Sequence, residues 1–112
     1  MNKNILYTFT APKSFFALSL KTTKLHSALK HINKCLRHLS SDDLNKLTQA
    51  NHHLLKAATL AEIDIPAITQ AQLNTSHSNI IIQVKQYKHT IWQARNFEKK
   101  QEQSERIKFF TN

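Results

Sequence analysis

The sequence predicts an all-α protein, an antiparallel bundle of three long helices with a short extra helix as a further candidate element. Three observations carry that prediction. Apolar residues recur every three or four positions through three long stretches, the spacing of one helix face. Glycine is absent from all 112 residues, and the tight primed turns of β-hairpins usually require it. The segments between the periodic stretches are short, so neighbouring helices run antiparallel. At this length the chain is one helical domain, 1–112, with an N-terminal segment 1–11 and a connector 64–77.

Helix one is expected over residues 12–39. In "KLHSALKHINKCLRHL" the set Leu25, Ala28, Leu29, Ile32, Cys35, Leu36 and Leu39 keeps helical spacing. Phe15 and Leu18 extend the stripe back toward Pro12, a residue favoured in a first turn. Thr22 and Thr23 are the alternative place to divide it. Helix two is expected over 41–63. There "SSDD" offers a serine cap with acids in the first turn, and Leu44, Leu47, Leu54, Leu55, Ala58 and Ala61 form the buried face. Pro66 ends it, and Ala67 to Leu73 is a candidate short turn of helix inside the connector. Helix three is expected over 78–108, capped by Ser76 or Ser78, with Ile80, Val84, Tyr87, Ile91 and Ala94 as its core residues.

The missing glycine also excludes several function classes. Phosphate-binding loops, dinucleotide fingerprints and nucleophile elbows all use glycine where backbone approaches a ligand or turns sharply. The net charge is +9, distributed as +7 over residues 1–41, −2 over 42–82 and +4 over 83–112. Two basic ends around a nearly neutral middle favour polyanions or acidic protein tails as partners. The single cysteine, Cys35, forms no internal disulfide and fits a reducing compartment. Lys13 interrupts the apolar run near the N-terminus, and no stretch approaches the ~20 apolar residues of a membrane span. A soluble cytoplasmic protein is expected, with no membrane partner.

Metal and catalytic chemistry find little support. His31, Cys35 and His38 stand at i, i+4 and i+7, spread over ~10 Å of helix axis, too far for one tetrahedral ion. His52 and His53 are adjacent and point in different directions. Asp42 and Asp43 belong to a helix start, Glu62 and Asp64 to a helix end. No metal, no cofactor and no enzymatic activity are expected.

Two surfaces carry better signals. Steps of 100° place Lys24, Lys30, Lys34, Arg37 and His38 opposite the apolar stripe of helix one, with no acid among them. Exposed helices ordinarily mix signs for i, i+4 support, so this face is a candidate nucleic-acid-binding surface. On helix three the stripe Ile80, Val84, Tyr87, Ile91, Ala94 gives way to Glu98, Glu102 and Glu105. Phe97 lies off that stripe and shares a narrow face with Lys100, Ser104 and Lys108. An aromatic ring among lysines one turn apart suits an acidic peptide with an apolar end, or a stacked base beside its phosphate. The competing reading packs Phe97 under Phe9, Phe15 and Phe16, as a core residue.

The "NFEKK" stretch, Asn96 to Lys100, resembles the aromatic–Glu–basic–basic motif of the primosomal replication protein N″ (PriC) family. "LLKAATLAEIDIPAI" is similar to that family's helix–proline–helix passage. The resemblance implies an all-helical, basic protein of replication restart that binds the acidic, Phe-ended tail of single-stranded-DNA-binding protein. It matches Phe97 and Lys100 to positions holding that tail, and Lys108 to a further basic position. Lysines stand here where the family has arginines, so carboxylates would be met by point charges rather than planar forks. The function expected is thus a non-enzymatic replication or replication-restart accessory. Its partners would be single-stranded-DNA-binding protein and single-stranded or forked DNA, with a replicative helicase or its loader as a further candidate. The alternatives are a helical protein–protein adaptor that never meets nucleic acid, and a phage- or plasmid-encoded inhibitor or regulator.

Overall fold

The stripe Leu25, Ala28, Leu29, Ile32, Cys35 and Leu39 becomes the centre of the molecule, each residue at most 8% exposed. The computed structural model describes the backbone of residues 2–111 and the side chains of residues 19–108. The element order is α1 (Asn2–Leu39), α2 (Lys46–Ala61) and α3 (Gln70–Thr111), with no strand among the described residues. The chain is therefore all-α. α1 packs against both other helices, while α2 and α3 touch each other little. Ile65, Ile68 and Leu73 of the connecting region join the same core cluster.

The helices differ in length, and that sets the shape. The 38 residues of α1 make a rod of about 57 Å at 1.5 Å per residue, most of the 65 Å long axis of the 65 × 19 × 18 Å molecule. α2, with 16 residues, covers about 24 Å of it. α1 and α3 run antiparallel. The end of α1 meets the beginning of α3 where the His77 imidazole donates to the Leu39 carbonyl over 2.6 Å. Farther along, the Lys21 ammonium lies 2.9 Å from the Glu98 carboxylate.

The first helix begins at Asn2, not near Pro12, so the expected segment 1–11 is largely helical. Thr22 and Thr23 do not divide it; Thr23 donates its hydroxyl to the Ser19 carbonyl one turn back, at 2.9 Å. Such back-bonding lets threonine sit inside a helix. The side chains of Phe9, Phe15, Phe16 and Leu18 lie outside the described residues.

"SSDD" works in the opposite direction from the expected one. Ser40 and Ser41 donate their hydroxyls to the Leu36 and His38 carbonyls, closing the C-terminus of α1. Asp43 accepts the Asn45 backbone N–H at 3.1 Å, which builds the turn. α2 then starts only at Lys46, with Asn45 at its N-cap position making no side-chain cap bond. Two leucines of the expected face are consequently misplaced. Leu44 falls in the turn and is fully exposed, and Leu55 flanks the stripe and is 66% exposed. The face that packs is Ala50, Leu54, Ala57 and Ala58. Ala50 and Ala57, like Ala28 of α1, are completely buried. Larger side chains there would overpack a close helix approach, at about 1–3 kcal/mol each.

α2 ends in a Schellman motif: Glu62 N–H bonds to the Thr59 carbonyl and Ile63 N–H to the Ala58 carbonyl. That motif puts Glu62 in the left-handed region, at φ 57° and ψ 41°. Glycine ordinarily takes this position, and the chain has none. The connector is then clamped by Asn51, whose amide donates to the Ile68 carbonyl and accepts the Ile68 N–H, both at 2.8 Å. Thr69 and Gln72 cap α3 reciprocally: the Thr69 hydroxyl accepts the Gln72 N–H, and the Gln72 amide accepts the Thr69 N–H. Ser76 interrupts α3 at φ −159° and ψ 87°. The first six residues of α3 are thus the short extra helix, running into the main one through a kink. Ile80, Val84 and Ile91 are buried, Tyr87 is half-buried, and Ala94 is exposed rather than part of the core.

Two substitutions test these joints. A left-handed non-glycine residue costs about 1–2 kcal/mol, partly offset by the unfolded-state entropy that glycine adds. Glu62→Gly should therefore raise stability by about 0.5–1 kcal/mol in urea denaturation. Asn51→Asp cannot donate to the Ile68 carbonyl and should lower stability by about 1–3 kcal/mol. An unchanged urea midpoint for Asn51→Asp would remove the clamp from the account.

Candidate functional site: basic faces and an aromatic groove

Helix geometry presents the expected basic face of α1 to solvent, with Lys24, Lys30, Lys34 and Arg37 exposed. His38 departs from it. Its ring is half-buried and stacks on His53 of α2, with centroids 5.4 Å apart and planes 7° from parallel. It contributes to the α1–α2 contact instead.

That contact holds a cluster the sequence did not reveal, because its members come from two helices. His53 lies against His31 as well as His38, and the His31 and His53 Nδ1 atoms are 2.9 Å apart. A hydrogen bond between two imidazole nitrogens needs one donor and one acceptor, so at least one ring is neutral. Burial holds His31 below the usual imidazole pKa, helped by the charges of Lys34 and Lys56. Burial does the same for His53, with His31, His52, His38 and Lys34 adding to it. Cys35 turns away from these rings into the core. It is fully buried, and burial pushes its thiol up to about 11. Among the described residues no group of three or more His, Cys, Asp or Glu side chains is arranged to hold a metal ion.

On α3 the apolar stripe gives way to polar contact. Glu98 follows Ala94 and turns toward α1, where its side chain is only 13% exposed beside Lys21. Glu102 and Glu105 are half-buried along the same side. Phe97, displaced from that side by helical geometry, is 61% exposed. Lys100, Ser104 and Lys108 are exposed with it. Lys108 reaches the Glu105 carboxylate at 3.6 Å, a surface pair of small energetic weight. The four residues expected to form a site therefore share a solvent-facing strip of helix, and Phe97 does not belong to the core.

The opposite flank of α3 carries a surface that sequence reasoning missed. Lys85, Lys88, His89 and Trp92 line an open groove of about 480 Å³ with Leu36 of α1 as the apolar element. Trp92, the protein's single tryptophan, is 45% exposed, and its ring stacks on His89 with centroids 5.9 Å apart and planes 18° from parallel. Farther along, Arg95 and Lys99 line a second depression of about 230 Å³ with Thr22, Thr23 and His26 of α1. Lys85, Lys88, Trp92, Arg95 and Lys99 fall at spacings of three, four, three and four, so the stripe could have been found on a helical wheel. Which flank would face α1 could not.

The histidine cluster should make stability fall with acid. A His pKa lowered on folding means that the unfolded chain binds more protons below the unperturbed value near 6.5. Stability contributed by His31 and His53 is therefore complete above about pH 6.5 and declines as pH falls through their folded values. Both rings are partly exposed, which limits the size of the effect. The melting temperature should drop between about pH 7 and about pH 5, and His53→Gln should flatten that dependence. An unaltered slope in the variant would locate the acid sensitivity elsewhere.

No helix among the described residues is long and apolar enough to cross a membrane. No known protein family, curated protein or solved structure matches the chain.

Proposed function

We propose that the protein is a non-enzymatic accessory of DNA replication or replication restart, acting in the cytoplasm. In this reading α1 contributes its basic face to single-stranded or forked DNA. Phe97 and Lys100, helped by Lys108, hold the acidic C-terminal tail of single-stranded-DNA-binding protein. The ring receives the apolar terminal side chain, and the lysines receive carboxylates. The observation that carries the reading is the exposure of Phe97 at 61% on the same strip as Lys100, Ser104 and Lys108. An exposed aromatic ring beside cations, where the core stripe has already given way to Glu98, offers an apolar anchor flanked by positive charge. The resemblance of "NFEKK" to the primosomal replication protein N″ family points the same way. A replicative helicase or its loader remains a further partner of the same reading.

A second reading, a helical adaptor, is favoured by the exposed Leu20, Phe97 and Ile107 toward the end of the α1–α3 pair remote from Leu39. In that case the apolar residues dock on a partner helix, and DNA is not bound even at low salt.

Calorimetry with a synthetic acidic, Phe-ended peptide tests the first reading. Exposed charged contacts give at most about 1 kcal/mol each, whereas a well-buried anchor ring gives about 2 kcal/mol or more. Phe97→Ala should therefore weaken peptide binding more than Lys108→Ala does. Absence of heat, or a Phe97→Ala protein that unfolds, would remove the tail site. Reversal of Lys30 and Lys34 to Glu should weaken DNA binding without lowering the melting temperature, since both side chains are exposed. Retained affinity together with lost stability would make that face structural.

A further inference from the structure

We infer that the groove between α1 and α3, formed around Trp92 by Lys85, Lys88, Arg95 and Lys99, is a single-stranded nucleic-acid track. The inference rests on the proposed DNA-binding function and assigns it a second surface, lined by side chains other than Lys30 and Lys34.

The first argument is charge. Every ionisable side chain lining the two depressions is basic or imidazole. None of the seven acids of the chain lines either one. Asp42, Asp43, Glu62 and Asp64 belong to turns and the connector, and Glu98, Glu102 and Glu105 continue the side of α3 that carries the core stripe, where Glu98 pairs with Lys21. The two ion pairs among the described residues engage Lys21 and Lys108, so the lysines of the groove have no carboxylate partner. Arg95 makes the point most sharply. Its guanidinium donates to the Asn96 side-chain oxygen and approaches His26 at 3.5 Å, and its buried Nε–H has no acceptor. A partly buried guanidinium without an anion is a site where phosphate is favoured.

The second argument is shape. The Trp92 ring, parallel to His89 and half in water, is a flat platform on which bases of any sequence stack. A duplex keeps its base faces stacked inside and cannot use such a platform. From Lys85 to Lys99 the helix rises about 21 Å. That matches about six nucleotides at the 3.4 Å spacing of a stacked strand. The basic side chains fall on both sides of the indole along this path, so phosphates are met before and after the stacked base.

The single tryptophan makes the test direct. An oligothymidine of about fifteen nucleotides, within the usual range for such sites, should quench Trp92 fluorescence, more than a duplex of the same length or polyglutamate does. By anisotropy of a labelled strand, Trp92→Ala should weaken binding about tenfold, within the range for loss of one stacked base, while Trp92→Phe keeps most of it. Lys85→Gln with Lys99→Gln, both exposed, should flatten the log–log salt dependence by about 1.4, that is about 0.7 per phosphate contact. Binding that leaves Trp92 fluorescence and the Trp92→Ala affinity unchanged, but is lost on reversal of Lys30 and Lys34, overturns the groove and keeps the proposed function. Equal quenching by polyglutamate, or stronger quenching by duplex, overturns the single-strand assignment. Failure of the oligonucleotide to bind at low salt removes both.

Discussion

Because α1 buries one continuous stripe against two partners at once, the rest of its circumference is divided into flanks with different neighbours. The stripe from Leu25 to Leu39 meets α2 on one side and α3 on the other. On the α2 side this brings His31 and His38 against His53. On the α3 side it brings Leu36 and His26 beside Trp92 and Arg95. What remains in open solvent is the lysine face. All three surface features of the molecule are consequences of one helix packing twice. Loss of a central side chain such as Ile32, at 0% exposure, would loosen both interfaces together; such truncations typically cost about 2–5 kcal/mol.

A chain without glycine must make its turns and helix ends from side chains. Ser40 and Ser41 donate to the last carbonyls of α1, and Asp43 shapes the turn that follows. Thr69 and Gln72 hold the start of α3, while Asn51 grips the connector at both backbone groups of Ile68. At Glu62 no side-chain device substitutes, and a left-handed backbone is accepted on a non-glycine residue. The Schellman bonds of Glu62 and Ile63, with Ile63 packed against the core, offset that strain. These polar joints are short-range, so they fix chain direction at each corner while the apolar stripes determine which faces meet.

The stripes of α1 and α3 were legible because helical periodicity depends only on spacing, and Ile32, Cys35, Ile80, Val84 and Ile91 are buried as that spacing requires. The corners were less so. A serine hydroxyl both donates and accepts, so "SSDD" fits the end of one helix as well as the start of the next. That ambiguity moved the start of α2 to Lys46 and left Leu44 outside it. The buried face of α2 was legible in part: Leu54 and Ala58 are buried and Leu47 and Ala61 pack against the core, but the closest packing belongs to Ala50 and Ala57. Phe97 could be separated from the core stripe by angle alone. The histidine cluster and the Trp92 groove needed knowledge of which flank meets which helix, and one-dimensional spacing does not contain it.

The distribution of the few acids gives the surface its polarity. Glu98 is drawn into the α1–α3 seam by Lys21, and Glu102 and Glu105 follow on the same side of α3, half-buried. Carboxylates held in that seam leave Lys85 and Lys88 without local neutralisation, whereas Lys99 has Glu102 three residues on. Charges separated by less than the Debye length, about 8 Å at physiological ionic strength, act together rather than singly. One helical turn is about 5.4 Å, so the cations on each side of Trp92, Lys85 with Lys88 and Arg95 with Lys99, reinforce one another's field. On an ordinary exposed helix such a row would be interrupted by glutamates at i+4, which supply intrahelical stabilisation. Around Lys85 and Lys88 no acid stands within one turn, and interhelical packing against α1 holds α3 in place there instead. A surface arranged in this way is suited to a ligand that brings a row of negative charges of its own.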